Sequence, residues 1–407
     1  MPKPILFVAG GTRGDIQPYV ALAQYLHRQG VPVVVATSPR WSSWVSSYRI
    51  PWHSLPPDPT DLLLDPQYAA ALTTEYGVIR GWVATQRYQR AMRPLLRPLI
   101  EAGTDIIRQS AVVVAGVASQ WAATIAERNA VPVVWGLLQP VAPTPDFASP
   151  LWPARLMRQA NEQSHQLLQR VMWQQWQAAV GQREGGLMHI QRQPALFAFS
   201  RHLVPSWSNM AGTHTITGHW EFTERAPLPA PVRRFVAVGL PYVVATFGTP
   251  AHNEAPALYD AVIAATAAVG MRLFVHIPPH LKSRYRSDDR VFVSSEAFDF
   301  RLLYAGATAV LHHGGMGTLH SVTAQGVPSV IVPRGVDQFF WAQRALDAQL
   351  TASVLPRRKL TSARLTAALQ PIILQPEYRF AARQLALQMA EEPAFARAAR
   401  VLAAYLA

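Results

Sequence analysis

Short runs of β-branched residues alternate along this chain with longer stretches of helical period, the pattern of parallel strands covered by crossover helices. Ile5-Leu6-Phe7-Val8-Ala9 reads as a strand buried on both faces. A glycine-rich turn follows, then a helix from about Ile16 to Arg28 and a second strand over residues 31–36. Val112-Val113-Val114-Ala115 and Val131-Pro132-Val133-Val134-Trp135 continue the same sheet. Prolines interrupt the pattern over residues 140–153, and a Gln- and Trp-bearing helical region runs from about Ala154 to Ala179. Pro205, Pro227, Pro229, Pro231 and Pro241 mark a second interruption, read as a linker. A new alternating series then starts at Tyr242-Val243-Val244-Ala245-Thr246-Phe247. It continues through strands at residues 272–275, 291–293, 309–311 and 329–332, and residues 377–407 are Ala- and Arg-rich and helical. The prediction is an α/β chain of two Rossmann-like, doubly wound domains with a ligand cleft between them.

Composition agrees with two cores. The 407 residues exceed one ordinary domain, half of them are hydrophobic and only 15% are charged. The absence of cysteine excludes a disulfide framework, a Cys-ligated zinc site and thiol catalysis, and fits a cytoplasmic protein. The formal charge of +13 is spread along the chain, a field that suits nucleic acid, an anionic membrane surface or a small phosphorylated substrate. No basic cluster interleaved with aromatics and no zinc-finger, RRM or KH signature is present, so nucleic acid is not expected as a partner. Residues 1–10 are too short for a signal peptide, and no apolar run approaches the roughly 20 residues that span a bilayer. Membrane contact, if made, is expected to be peripheral.

Three turns carry candidate chemistry. Ala309-Val310-Leu311-His312-His313-Gly314-Gly315-Met316-Gly317-Thr318 ends a buried strand in small residues, with a helix expected to begin near Thr318. That places N–H groups and a helix N-terminus at the carboxyl edge of a parallel sheet, which suits a diphosphate. His313 and the Thr318 hydroxyl can each donate to phosphate; the competing reading is a tight turn with a core-facing His pair. Two adjacent histidines without a carboxylate partner are weak grounds for a metal. Asp337-Gln338, after the next strand, offers a carboxylate and an amide able to read adjacent hydroxyls, or simply a helix N-cap at Asp337. Gly10-Gly11-Thr12-Arg13-Gly14-Asp15-Ile16-Gln17-Pro18 departs from the dinucleotide fingerprint, and Thr37 and Ser38 stand where an acidic ribose ligand would be. Asp15 is either the N-cap of the next helix or a general base at a strand end.

Together these segments resemble the GT-B glycosyltransferases of family 1, closest to the bacterial antibiotic (glycopeptide and macrolide) and sterol branches. Val204-Pro205-Ser206-Trp207 with Thr217-Gly218-His219-Trp220 resembles the linker entry, and Phe247-Gly248-Thr249 the turn that opens the donor domain. Asp337-Gln338-Phe339-Phe340-Trp341-Ala342 is similar to the sugar-reading segment, and all the pieces occur in family order. The resemblance implies an acceptor domain over 1–205, a linker over 206–240 and a nucleotide-sugar domain over 241–385. A C-terminal helix over 386–407 would pack on the first domain. It further implies an inverting O-glycosyltransferase needing neither metal nor cofactor, with a UDP- or dTDP-sugar as substrate. Asp15 would be the base. His313, Gly314, Gly315, Gly317, Thr318, Thr249 and Arg13 would hold the diphosphate, and Asp337 and Gln338 the sugar. Phe298, in Ser294-Ser295-Glu296-Ala297-Phe298-Asp299-Phe300, is the candidate base contact. Plant and animal members carry a ribose-binding Glu where Ser321 stands; the departure is compatible with a thymidine donor, and also with the UDP-glucose-using bacterial and sterol-type members that lack the Glu.

The acceptor is expected to be a lipophilic natural product, sterol-like lipid or phenol. Trp82, Trp135 and Met172 are the leading candidates to line its pocket, with Tyr88, Met92, Met157, Trp173 and Trp176 behind them; for each alone the core reading is the better one. The Met/Trp-bearing helix could also touch a membrane. A monomer or homodimer is expected. The competing functions are a same-fold nucleotide-sugar epimerase and a non-catalytic nucleotide-sugar-binding protein, against which a carboxylate at Asp15 argues.

Overall fold

The computed structural model describes residues 2–65, 68, 77–151, 160–180, 186–204, 207–248, 255–335 and 337–406. It divides into two compact units, one drawn from residues up to Phe222 together with Glu392–Ala407, the other built on Thr223–Glu391.

The first unit begins with β1 (Ile5–Val8), α1 (Arg13–Arg28), β2 (Val33–Thr37), α2 (Ser42–Ser46), β3 (Trp52–Ser54) and α3 (Gly77–Arg108). Then come β4 (Val112–Ala115), α4 (Gln120–Arg128), β5 (Val133–Leu137), α5 (Asn161–Val180), β6 (Ala195–Phe197) and β7 (His214–Ile216). All strands are parallel, in the order β3-β2-β1-β4-β5-β6-β7. Every residue of β1, β4 and β5 is buried, which is why these strands read as unbroken apolar runs rather than alternating ones.

The second unit holds α6 (Ala230–Ala237), β8 (Tyr242–Thr246), α7 (Pro256–Ala268), β9 (Arg272–His276), β10 (Val291–Ser294) and α8 (Arg301–Ala305). It continues with β11 (Ala309–His312), α9 (Met316–Ala324), β12 (Ser329–Ile331), α10 (Gln338–Asp347), α11 (Ser362–Leu374) and α12 (Pro376–Ala390). Its sheet is again parallel, in the order β10-β9-β8-β11-β12. Two apolar layers flank it, one gathered around Val243, Leu273 and Leu311, the other around Val244, Phe274 and Val310. In each sheet the chain leaves one strand to add neighbours on the other side, at β1/β4 and at β8/β11. Such reversals open a crevice at the strands' carboxyl ends, where ligands bind in open α/β folds.

Two stretches differ from the sequence expectation. Residues 206–240 do not run as a plain connector: β7 pairs with β6 in the first sheet, and α6 belongs to the second unit. Thr217 and Trp220 explain the first half. The Trp220 indole N–H donates to the Thr217 hydroxyl at 2.9 Å, and the ring packs edge-on to Tyr19 of α1 with no exposure. The C-terminal helical stretch breaks at Pro393, and α13 (Ala394–Ala403) lies in the first unit, where Phe395 stacks on Tyr25 at 5.0 Å. No helix among the described residues is long and apolar enough to cross a membrane.

Because Trp220 is a core side chain, Trp220→Ala should lower stability by about 3–5 kcal/mol. Urea unfolding followed by intrinsic fluorescence tests this; a loss below about 0.5 kcal/mol would place Trp220 on a surface linker.

Candidate active site

In the second unit the β8/β11 reversal brings two glycine turns together. Leu311 and His312 stand opposite Ala245 and Thr246, so His313 emerges beside Phe247-Gly248. Gly248 has φ +77, and a Cβ there would lie 2.8 Å from the His313 ring. Gly315 approaches the same ring from its own side so closely that a Cβ would overlap Nε2. The imidazole thus fills the space that two missing side chains leave. Its Nδ1 is shut off from solvent and has no hydrogen-bond partner among the described residues. Burial lowers its pKa to about 4, so the ring is neutral near pH 7 and carries one N–H to donate.

His312 has a different place. It is fully buried, Gly314 N–H donates to its Nδ1 at 3.1 Å, and Nε2 lies 3.0 Å from Ser329 Oγ. Accepting at Nδ1 fixes the neutral tautomer with its proton on Nε2, which donates to Ser329. Burial, then the neighbouring His313, lower its pKa to about 3. His312 therefore braces the turn, and His313 is the histidine left with an unused nitrogen.

The helix after this turn starts earlier than expected. Gly315 is the N-cap of α9 and Met316 its first residue, so Gly317 and Thr318 both sit in the first turn, where N–H groups lack intrahelical partners. Gly314, at φ +85, packs against β12 and the start of α10. A Cβ there would lie 2.7 Å from Ile331 Cγ2 and 3.2 Å from the Gln338 carbonyl. The close approach joins the His313 turn to Asp337-Gln338. Asp337 is the N-cap residue of α10, although its side chain does not cap the helix. Gln338 Oε1 accepts from Arg334 N–H at 2.9 Å and more weakly from Gly335 N–H at 3.4 Å. The backbone thus occupies the Gln338 carbonyl oxygen and leaves the –NH2 to donate. Phe298 stacks on Phe300 at 4.2 Å and meets Phe274 edge-on at 5.9 Å, at the margin of the core. Thr249 lies outside the described residues.

In the first unit, Asp15 follows β1. Helix α1 begins at Arg13 with Thr12 as its N-cap, three residues ahead of the expected start, because Thr12 and Asp15 form a capping box. Asp15 is therefore the third helical residue and not the N-cap itself. Thr12 donates to Asp15 Oδ2 from both its backbone N–H and its hydroxyl, each at 2.8 Å. Burial raises the Asp15 pKa while the two Thr12 bonds oppose the rise. The turn is held from outside by Trp41, whose indole N–H donates to the Gly11 carbonyl at 3.2 Å. Arg13 donates to Gln17 at 3.1 Å and rests over the Trp44 ring at 5.4 Å.

One ionisable side chain at this turn escaped the sequence reading. Asp58 is 6% exposed and presses so closely on Gly10 that a Cβ there would overlap its carboxylate. Its Oδ1 accepts from the Thr60 N–H at 2.7 Å and from the Thr60 hydroxyl. Burial foremost, with the charges of Asp61 and Asp15 adding, lifts its pKa to about 6 against the Thr60 bonds. The only local signal is Pro57-Asp58-Pro59-Thr60, which reads as an Asx-capped turn.

Among the expected acceptor residues, Trp135 is corrected to core. It has no exposure in β5, and its indole N–H donates to Gln193 at 2.7 Å. Met172 is half-buried on α5, and its carbonyl accepts from Gln120 at 3.2 Å. Tyr88, half-buried on α3, faces Tyr68 edge-on and feels the charge of Asp58. Trp173 is buried and Met92 fully so. The side chains of Trp82 and Trp176, and all of Met157, lie outside the described residues.

Comparison with known proteins covers both units. Residues 5–140 match the glycosyltransferase family 28 N-terminal domain. Residues 262–405 match the C-terminal domain of erythromycin biosynthesis protein CIII-like proteins. The O-mycaminosyltylonolide 6-deoxyallosyltransferase of Streptomyces fradiae is 26% identical over 421 residues, covering 95% of this chain and 94% of that protein. A sterol 3-beta-glucosyltransferase of Eremothecium gossypii is 24% identical over 418 residues, covering 95% of this chain. This chain spans about a third of that relative's length (33%). Among solved structures, the glycosyltransferase VinC in complex with dTDP superposes with a TM-score of 0.70 at 17% identity, covering 99% of each chain.

The His313 pocket has a measurable signature. The His313 imidazole should titrate near pH 4 by NMR; a midpoint above 6 would contradict its burial. The unfolded chain takes up this proton below about pH 6.5, the folded one only near pH 4, so stability falls as pH drops through that window. The fall should be shallower in His313→Gln.

Proposed function

Because this chain belongs to the GT-B glycosyltransferases, in the group that unites the bacterial antibiotic and sterol enzymes, we propose that it moves a sugar from a nucleoside-diphosphate sugar to a hydroxyl of a lipophilic acceptor. The observation that carries this reading is the neutral His313 imidazole, seated between Gly248 and Gly315 with an unused nitrogen. It stands at a strand-order reversal, next to the first turn of α9. A diphosphate offers acceptor oxygens to that ring, to the free N–H groups of Gly317 and Thr318, and to the Thr318 hydroxyl.

The reaction is read as a single displacement. Asp15 takes the proton of the acceptor hydroxyl, the acceptor oxygen bonds to the anomeric carbon, and the bond from that carbon to the diphosphate breaks with inversion. The nucleoside diphosphate leaves with both electrons of the broken bond. Donors already in place around His313 stabilise its developing charge, so no metal is needed in this scheme. Gln338, with its carbonyl oxygen held by the backbone, donates from its –NH2 to a sugar hydroxyl, and Asp337 accepts from another. Phe298 is assigned to the base, Thr249 and Arg13 to the phosphates. The donor is UDP- or dTDP-linked. The acceptor class follows the relatives, which glycosylate a macrolide and sterols by their names.

Asp15→Asn should reduce transfer by roughly 10²- to 10⁴-fold while nucleoside diphosphate affinity is retained. His313→Ala should weaken that affinity. Thermal shift against UDP and dTDP, together with initial rates, checks both: full turnover by Asp15→Asn removes the base, and unchanged affinity in His313→Ala removes the phosphate contact.

A further inference from the structure

Two carboxylates are seated on consecutive glycines of the β1–α1 turn. Asp15 lies against Gly11, where a Cβ would come within 2.7 Å of its Oδ2, and Asp58 lies against Gly10 with no room for a Cβ at all. Each is held by one oxygen through an adjacent threonine: Thr12 on Asp15 and Thr60 on Asp58. The charge of Asp15 reaches Asp58, as the smallest of the causes that raise the Asp58 pKa, and coupling between two proton-binding sites is reciprocal. Asp58 is buried without a salt bridge among the described residues, and Arg40 pairs with Asp61 at 3.7 Å. Among the described residues, Asp61 in the same turn and the half-buried Tyr88 of α3 are the other titratable groups coupled to it, and neither supplies a positive charge. A carboxylate buried without a counter-ion is costly, and such groups gather at functional sites. Thr60 fixes where Asp58 sits and offsets the burial only in part.

We propose that Asp58 is a positioning residue for the transfer: its carboxylate, seated on Gly10 beside that of Asp15 on Gly11, supplies the negative charge that makes Asp15 the stronger proton acceptor. The inference rests on the reading of Asp15 as the base. Like charges held close each favour the protonated form of the other. An ionised Asp58 therefore raises the proton affinity of Asp15, and the rate of proton removal follows base strength. The charge is present above about pH 6 and is withdrawn as Asp58 takes up its proton below that value. Arg13, the charged residue nearest Asp15 in sequence, is directed to Gln17 and Trp44.

The test uses Asp58→Asn, which keeps the shape, and Gly10→Ala, which keeps the aspartate but displaces it. For each, the pH profile of kcat, the donor KM and the thermal unfolding midpoint are measured beside Asp15→Asn. In Asp58→Asn the acidic limb of kcat should move down by about one pH unit. Its plateau should fall roughly three- to tenfold, with donor KM unchanged. Gly10→Ala should move the limb in the same direction. If Asp58→Asn does not fold, the Gly10→Ala profile decides alone. A lower kcat with an unmoved limb would make Asp58 purely structural and overturn the proposal. If Asp15→Asn is inactive while both other profiles match the parent, the Asp58 role fails and the base assignment stands; if Asp15→Asn is fully active, both fall.

Discussion

At the carboxyl ends of β8 and β11 the imidazole of His313 occupies volume that a Cβ on either Gly248 or Gly315 would take. Much of the second unit's chemistry follows from that fit. The ring is held where it cannot reach bulk water through Nδ1, so it stays neutral and keeps a single proton to donate. His312, one residue earlier, points the other way off the strand and is consumed by the turn itself, accepting from Gly314 and donating to Ser329. Alternation along a strand separates the two histidines, one to structure and one to the crevice. Gly314 then ties this turn to the first residues of α10, so the diphosphate candidates and the sugar candidates share one rigid patch of backbone.

The first unit uses the same device with the opposite sign. Gly10 and Gly11 admit the carboxylates of Asp58 and Asp15 where Gly248 and Gly315 admit an imidazole. In both places a parallel strand ends at a reversal of strand order, and in both a side chain packs on bare backbone. Burial pushes each group toward its neutral form, so the His pKa goes down and the Asp pKa values go up. In the proposed reaction the neutral donor would face the leaving group and the carboxylate of raised proton affinity the acceptor hydroxyl.

Aromatic residues divide along a line that composition does not draw. Trp135 and Trp220 close the first unit's core, each with its indole N–H committed to a neighbouring side chain. Trp41 and Trp44 instead stand half-buried at the Gly11 turn, where they brace its carbonyl and carry Arg13. A tryptophan in an apolar run has the same local signature in either setting. The difference lies in which strand or helix packs over it, and that is fixed by segments far away in the chain.

The sequence by itself determined the parallel α/β class, the two series of strands and the glycine turns that end them, because burial on both faces and backbone without Cβ leave unmistakable local patterns. Asp15, His313 and Asp337-Gln338 were legible for the same reason: each sits within a few residues of a strand end. The tertiary structure decided the finer points. Helices α1 and α9 start earlier than their apolar periodicity suggests, because Thr12 with Asp15, and Gly315, cap them before the first core-facing side chain. The stretch around Trp220 joins the first unit through a contact with Tyr19 that no local pattern announces. Asp58 reaches the Gly10 turn only because the segment after β3 packs against the turn that follows β1. Its burial, and hence its proton affinity, is a property of that packing rather than of its own neighbours in sequence.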